Sequence, residues 1–502
     1  MCLLDLPVEL LAEALAYLDH RHLLLVREAI TLTAGVQVCR DLRDAVDNTA
    51  RLCYMIELAR EHMQNGSRAD LGSADRLQKL REYRQAWRAL NWSANKKVPD
   101  GGVFAIAGDI IACTKRTDAT YITFTRMGSK LRGVDEQQWT IDAPQGLRDF
   151  VIEPVMDLVV ALTERECPHP LATQPVIQVP LTFVAADFKP MIYGDRLGVL
   201  FTSHSLSYTY FTVWNWQTGE EYKRPFRKRR VPSATFLDKD LVAMPFTCYN
   251  KDNRMHSALL VADISVPSKP RRVCRLLLPP ALPDITLFAD FIWDQPLSHN
   301  AERPRSGWFA PVPEERILGL SISGFDAVSF GILPPTTAMF ILSATRITAR
   351  IRQRMTGSET DRITLEWADW GPDCTRVFPH TCPALWLSFI HGTRYALLDD
   401  DDAPPAGYAV YDFSRAAVDE AAEEDPDDDS YVVSEPSIFN ERGAFGIPIE
   451  TRLPYRYKWR ELGPEVTNWI GEQGSESASV MLIDDGVVFS PDAGGEYWAW
   501  TL

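Results

Sequence analysis

Up to about residue 96 the apolar positions of the chain recur every three or four residues; beyond it they form short β-branched and aromatic runs separated by Gly, Pro, Asp and Asn. The first pattern predicts amphipathic helices, the second many short antiparallel strands. Leu3-Leu4-Asp5-Leu6-Pro7-Val8-Glu9-Leu10-Leu11 predicts a helix start, with Asp5 or Leu6 at the cap, Pro7 in the first turn and Glu9 favoured by the helix dipole. Leu10, Leu11, Ala14, Leu15 and Leu18 make its apolar face. Asp19 caps a second short helix carrying Leu23, Leu24 and Val26, and Val38, Leu42 and Val46 mark a third. Three such helices bury little by themselves and call for a partner or a neighbouring domain. Residues 51–96 predict a helical connector: Leu52, Met55, Ile56 and Ala59 precede the break at Asn65-Gly66-Ser67, and Leu77, Leu80, Tyr83, Trp87 and Leu90 form one stripe of a longer helix.

In the β-rich part an acidic turn residue repeatedly precedes an apolar strand: Asp109 before Ile110-Ile111-Ala112, Asp157 before Leu158-Val159-Val160, Asp195 before Arg196-Leu197-Gly198-Val199-Leu200, and Asp240 before Leu241-Val242-Ala243. The intervals are 48, 38 and 45 residues. A β-propeller blade of four strands repeats every ~40–50 residues. Val213-Trp214-Asn215-Trp216 before Thr218-Gly219, Ala258 to Asp263 and Tyr408 to Phe413 have the same strand-and-turn texture, and the repeat blurs after about Pro279. Residues 97–502 therefore predict an all-β, propeller-like domain without helical stripes, with seven blades favoured over eight once the Pro-rich loops are subtracted; a pair of β-sandwiches is the alternative. The closing Tyr497-Trp498-Ala499-Trp500-Thr501-Leu502 reads as a strand that joins the two ends of the domain within one blade.

The 502 residues exceed one ordinary core, and 46% hydrophobic with 24% charged content is that of a folded chain. A formal charge of −16 argues against nucleic acid or anionic membrane as partner and for protein partners. Nine scattered cysteines without a CxxC pair fit a reducing compartment, cytoplasmic or nuclear, and no apolar run is long enough to cross a membrane.

Catalytic signatures are missing: there is no phosphate-binding Gly-rich loop ending in Lys-Ser/Thr, no His-Glu-x-x-His and no Gly-x-Ser-x-Gly. No cofactor, metal or catalytic residue is expected; Cys374, His380 and Cys382 lack a fourth ligand and finger spacing. The basic run Lys223 to Arg230 reads as an exposed loop balanced by Glu220 and Glu221, with a nuclear-import signal or a dock for acidic targets as functional alternatives. Asp399 to Asp402 and the acidic run from Asp419 to Asp429 read as solvated; the latter predicts a mobile loop insertion near 415–432.

The order Leu6-Pro7-Val8-Glu9-Leu10, Tyr17-Leu18, Leu23-Leu24 and Val38-Cys39-Arg40-Asp41-Leu42 resembles the F-box motif, over about a tenth of the chain, and with the β-rich remainder is similar to F-box proteins of the fungal type. The resemblance implies an F-box at 1–50 that packs into a groove of a Skp-type adaptor through Leu6, Pro7, Leu10, Leu11, Leu15, Leu18, Leu23, Leu24, Val38, Cys39 and Leu42, and through the adaptor reaches a cullin ligase core. It departs from the family at Ala29 to Gln37, nine residues that stand as an insertion before the third helix. The function implied is a non-catalytic substrate receptor whose propeller presents an unidentified protein target for ubiquitination. A scaffold that assembles no ligase is the second reading, and a propeller enzyme with a site at the central channel the third.

Overall fold

The computed structural model describes residues 6–18, 22–23, 25–26, 36–98, 102–115, 120–163, 185–203, 209–222, 231–249, 255–267, 271–283, 285–292, 305–312, 315–326, 336–355, 363–379, 389–399, 406–419, 430–440, 444–472, 478–491 and 496–502. Helix α1 (Val8–Leu15) begins one residue after Pro7, whose φ of −52° and ψ of 147° make it the cap. Residues 22, 23, 25 and 26 are helical. Helix α2 (Val36–Asp47) starts two residues before the expected Val38, so Val36 and Gln37 of the expected insertion belong to the helix, and 29–35 lie outside the described residues. Helices α3 (Ala50–Arg60) and α4 (Ser73–Ala89) form the connector, and Leu90 ends α4 in a left-handed conformation at φ 49°. The expected stripe of α4, Leu77, Leu80, Tyr83, Trp87 and Leu90, is buried.

Strand β1 (Met63–Asn65) lies between α3 and α4, and β2 (Ala94–Val98) follows them. The first sheet is β3 (Phe104–Ala107), β4 (Ile110–Thr114), β5 (Tyr121–Arg126) and β6 (Gln137–Asp142). A hairpin of β7 (Leu147–Glu153) and β8 (Leu158–Thr163) comes next, then a second sheet of β9 (Ala185–Tyr193), β10 (Arg196–Ser203) and β11 (Thr209–Asn215). The third contains β12 (Thr235–Phe236), β13 (Leu241–Tyr249), β14 (Met255–Asp263) and β15 (Arg271–Leu277). The fourth has β16 (Ile285–Phe291), β18 (Ile317–Asp326), β19 (Thr336–Ser343) and β21 (Thr375–Phe378); the intervening β17 (Phe309–Pro311) pairs with β1, and β20 (Ile363–Leu365) adds in parallel to β15 of the third. The fifth orders β22 (Ile390–His391), β23 (Arg394–Leu398), β24 (Gly407–Asp412), β28 (Tyr455–Glu461) and β25 (Tyr431–Val433), with β26 (Ser437–Phe439) and β27 (Ile449–Thr451) a separate pair. The sixth is β29 (Ala478–Ile483), β30 (Gly486–Pro491) and β31 (Tyr497–Thr501), completed by β2.

This arrangement is a β-propeller. β3 lies against β7, β7 against β9, β13 against β16, β18 against β22, and β23 against β29. Met191, Leu200 and Phe211 of the second sheet share a core with Phe236, Val242 and Met244 of the third. Met481, Ile483 and Val488 of the last sheet share one with Val98, Ile106 and Ile111, which closes the ring. The terminal strand acts as its pattern predicts: Ala94 to Val98 register against Thr501 to Tyr497. Asp109, Asp157, Asp195 and Asp240 precede the second strand of their hairpins, which is what the repeat required.

Six sheets of three to five strands are described, and the β7–β8 pair stands between the first and the second, with residues 164–184 after it outside the described residues. One expectation needs correction. The domain is not all-β: α5 (Ala344–Arg354), α6 (Trp367–Cys374), α7 (Arg415–Asp419) and α8 (Pro464–Glu472) lie between its strands. Apolar stripes hold the longer ones on the sheets, Ile347 and Ile351 in α5 and Val466, Trp469 and Ile470 in α8, while α7 buries Ala416 alone. Of the expected acidic insertion near 415–432, α7 occupies the start and Tyr431 belongs to β25, and residues 420–429 lie outside the described residues.

Candidate functional site

Two apolar faces run along α1. Leu11 and Leu15 point inward at 3% and 4% exposure and pack with Leu23, Ala45, Val46, Leu52 and Ile56. Leu10 is 54% exposed and Pro7, Ala14 and Tyr17 are exposed with it, while Leu6 is half-buried. Leu10 and Ala14 share the outer face of α1, and with exposed Pro7 before the helix and exposed Tyr17 after it they form an outer strip. Leu25 is a further exposed apolar residue of this unit. The sequence placed eleven residues in a single adaptor-binding set, and the structure divides them. Leu11, Leu15 and Leu23 are buried in the core of the bundle. Pro7 and Leu10 are exposed, Leu6 is half-buried, and Leu18 and Leu42 are half-buried against the core. Val38 and Cys39 lie on α2, with side chains outside the description, and Leu24 is outside the described residues. Tyr17 and Leu25 were not chosen as surface positions from sequence; the Tyr-Leu pair carried the signal for Tyr17.

The connector is keyed to the propeller at several points. The Tyr83 hydroxyl donates to the Asp484 carbonyl at 3.1 Å, and the Trp92 indole donates to the Tyr408 hydroxyl at 2.6 Å. The Arg394 guanidinium lies 4.0 Å from the centre of the Trp87 ring. Tyr54, Leu77, Leu80, Tyr83 and Trp87 share one core with Tyr408, Trp469, Phe489 and Trp500. Met63 to Asn65 extend this seat by pairing with Pro311 to Phe309.

Beneath α4 the turn between β29 and β30 carries a buried charge network. Arg132 donates to Asp485 at 2.9 Å and to Asp484 at 3.4 Å, and Asp484 also takes the Arg305 guanidinium and His391 Nε2, the latter at 2.7 Å. Asp109 adds a third buried carboxylate, 3.7 Å from Arg126. Burial raises Asp485 to about 6 against the pull of Arg132, with Asp484 and Asp109 adding to the rise. Burial also opposes the ionisation of Asp484, but Arg305, His391 and Arg132 outweigh it and hold that carboxyl well below its usual range. The network joins the first, fifth and sixth sheets with the segment before β17. Sequence reading missed it, although Asp484-Asp485-Gly486 repeats the acidic turn seen at Asp109 and Asp157.

Two clefts of about 400 Å³ open elsewhere. One is lined by Arg316, Arg346, Thr393 and Arg415 between the fourth and fifth sheets, the other by Trp92, Asn95, Arg460 and Glu465 beside the sixth. Among the described residues no three His, Cys, Asp or Glu side chains are placed to hold a metal ion. Cys374 is buried, which pushes its thiol up to about 11, and burial takes Cys274 to about 12, so neither supplies a thiolate near neutral pH. His380, Cys382 and the basic run Lys223 to Arg230 lie outside the described residues. No helix among the described residues is long and apolar enough to cross a membrane.

No family model and no curated protein matches the sequence. Among solved structures, the WD40 domain of SCAP from fission yeast is similar at a TM-score of 0.36 and 8% identity over 81% of this chain and 98% of that one. The polysaccharide lyase Uly1 gives 0.34 and 10% over 82% and 91%. A prolyl endopeptidase gives 0.30 and 9% over 84% of this chain and 45% of its own. Likeness at this level says nothing about activity; the propeller assignment rests on the sheets themselves.

Proposed function

We propose that the chain is a substrate receptor of the F-box type, which binds a Skp-type adaptor of a cullin ubiquitin ligase through its N-terminal helices and a protein target through its propeller. The observation that carries the reading is the outer strip of exposed Pro7, Leu10 and Tyr17, which together with half-buried Leu6 contains the Leu-Pro-x-Glu-Leu residues of the family pattern. Exposed apolar residues gathered on one side of a small helical unit are the kind of surface a protein partner covers. The seated connector fits the same reading, because a receptor works by proximity and a rigid strut holds the target at a set distance from the ligase. No residue of this chain performs chemistry in this proposal, no cofactor is required, and the working compartment is cytoplasmic, nuclear or both. We also infer seven blades, with β7–β8 as the inner pair of the second, because β7 lies against β3 on one side and β9 on the other.

The test is co-purification of the full chain with a Skp-type adaptor. The intact protein is expected to retain the adaptor and a Leu6→Ala/Leu10→Ala variant to lose it while melting as the parent does. Failure of the intact chain to bind would leave the propeller as an interaction scaffold.

A further inference from the structure

The fifth sheet carries a grid of aromatic and acidic side chains on one face. Its registers align Tyr395, Tyr411, Tyr457 and Tyr431 across four strands, and align Leu397, Ala409 and Trp459 in the next row. The row beyond that holds Asp399, Gly407 and Glu461: Glu461 pairs with Gly407, and the Asp399 amide donates to the Gly407 carbonyl at 2.9 Å. Directly opposed residues of antiparallel strands project to the same side, so these rows form one surface.

The tyrosines make a continuous stack that runs outward. Tyr395 is 5.6 Å from Tyr411, Tyr411 is 5.7 Å from Tyr457 at an interplanar angle of 22°, and Tyr457 is 5.4 Å from Tyr431 at 20°. The inner end is core, with Tyr395 at 2% exposure, whereas Tyr431 is 61% and Trp459 44% exposed. The Trp459 ring lies against Gly407, where a Cβ would meet it at 2.3 Å, so the glycine lets the indole lie close to the sheet. Among the described residues β25 is the edge of this sheet, and an edge strand offers unpaired backbone groups to another chain.

Charge indicates what covers this surface. Glu461 is exposed and Asp399 half-buried on the grid, and the chain adds Asp400, Asp401 and Asp402 directly after Asp399 and Asp427, Asp428 and Asp429 just before β25. Neighbouring arginines are engaged elsewhere: Arg376 donates to the Leu453 and Glu435 carbonyls, Arg456 donates to Ser430 at 2.8 Å, and Arg460 lies over the Trp500 ring. Flat aromatic faces beside carboxylates attract cations, through the ring quadrupole and through direct pairing.

We propose that the open face formed by Tyr431, Tyr457 and Trp459, flanked by Asp399 and Glu461, is a docking surface for an extended, Lys- and Arg-bearing peptide segment of a protein partner. Cationic side chains lie over the exposed rings, and the backbone runs along the edge of β25 that has no strand partner among the described residues. The proposal deepens the receptor reading by naming the chemistry of the target, and it is tested on the chain alone, so its failure leaves adaptor binding to be judged separately.

The experiment is fluorescence anisotropy with the full chain and a labelled twelve-residue peptide alternating Gly with Lys and Arg. The same peptide with Glu in place of the basic residues is the control. Binding of the basic peptide only is expected, weakened roughly tenfold by Trp459→Ala or Tyr431→Ala, more by both, and largely kept by Trp459→Phe. Glu461→Gln is expected to weaken it several-fold and to flatten its salt dependence. Affinity that disappears with salt yet is untouched by both aromatic variants would show only general attraction to an acidic protein and overturn the proposal, as would no binding at low salt. Thermal melts of Tyr431→Ala and Trp459→Phe, both at exposed positions, identify any variant whose loss reflects unfolding.

Discussion

Arg132 and Asp485 are 353 residues apart in sequence and 2.9 Å apart in the fold, and neither side chain is more than 1% exposed. Arg132 comes from the segment after β5 and Asp485 from the turn before β30, so the pair spans the seam where the last sheet meets the first. Replacing Arg132 by Met removes the cation shared by Asp484 and Asp485 and leaves both carboxylates buried. The expected cost is about 3–5 kcal/mol, read from the midpoint of urea unfolding. A loss below about 1 kcal/mol would mean that the seam is held by apolar packing alone.

Asp149, near the start of β7, predicts a pH effect of definite sign. Burial pushes its carboxyl up to about 6 against the bond from the Phe150 amide, and Asp187 adds to the rise. The folded chain thus holds a proton that the unfolded chain, with a carboxyl near ~4, has already released. Stability from this group is present below about pH 4 and lost as the pH rises through about 6. Asp149→Asn keeps an acceptor for Phe150 and is expected to raise the melting temperature at pH 7.5, with the advantage gone at pH 4. The full linkage is at most ~3 kcal/mol, reduced by the part of the side chain that meets water. An equal gain at both pH values would contradict the assignment.

Tyr83 and Trp87 test how firmly the connector is seated. Tyr83→Phe removes the donation to Asp484 and should cost about 1 kcal/mol. Trp87→Ala empties a core site beneath Arg394 and should cost about 3–5 kcal/mol. Limited proteolysis between α3 and α4 should quicken in the second variant well before the propeller itself is cut. Cleavage at the same rate in variant and parent would show that the connector does not depend on this contact.

Deleting Tyr497 to Leu502 removes the strand that lies between β2 and β30. Both neighbours then present free edges, and Trp500 leaves the core shared with Phe489 and Tyr408. A non-cooperative melt by circular dichroism, or insolubility, is expected. A cooperative transition like that of the parent would count against ring closure by this strand.

Leu10 and Leu15 separate surface from core on one helix. At 54% exposure Leu10→Ala should change stability by no more than about 0.5 kcal/mol, whereas Leu15→Ala at 4% should cost about 2–5 kcal/mol. Differential melting of the two variants checks this directly. A large loss at Leu10 would make it core and remove it from the outer strip.

The sequence by itself determined what depends on neighbours along the chain. The spacing of Leu77, Leu80, Tyr83 and Trp87 was enough to define α4 and the face it buries, and alternation in Tyr497 to Thr501 was enough to define the closing strand. The acidic turns before β4, β8, β10 and β13 were legible because a hairpin repeats its local chemistry. The helices α5 to α8 were not, since their short apolar stripes sit among strand-like runs and are stabilised by the sheets they cover. The tertiary structure alone decided which face of α1 is internal: Leu10 and Leu11 are adjacent and equally apolar, and only contact with Val46 and Leu52 buries the second. It alone brought Asp484 and Asp485 to Arg132, and stacked Tyr431 on Tyr457 beside Trp459. Periodicity reports which residues share a face of one element, but the partners of that face are set by the closure of the ring, which joins segments hundreds of residues apart.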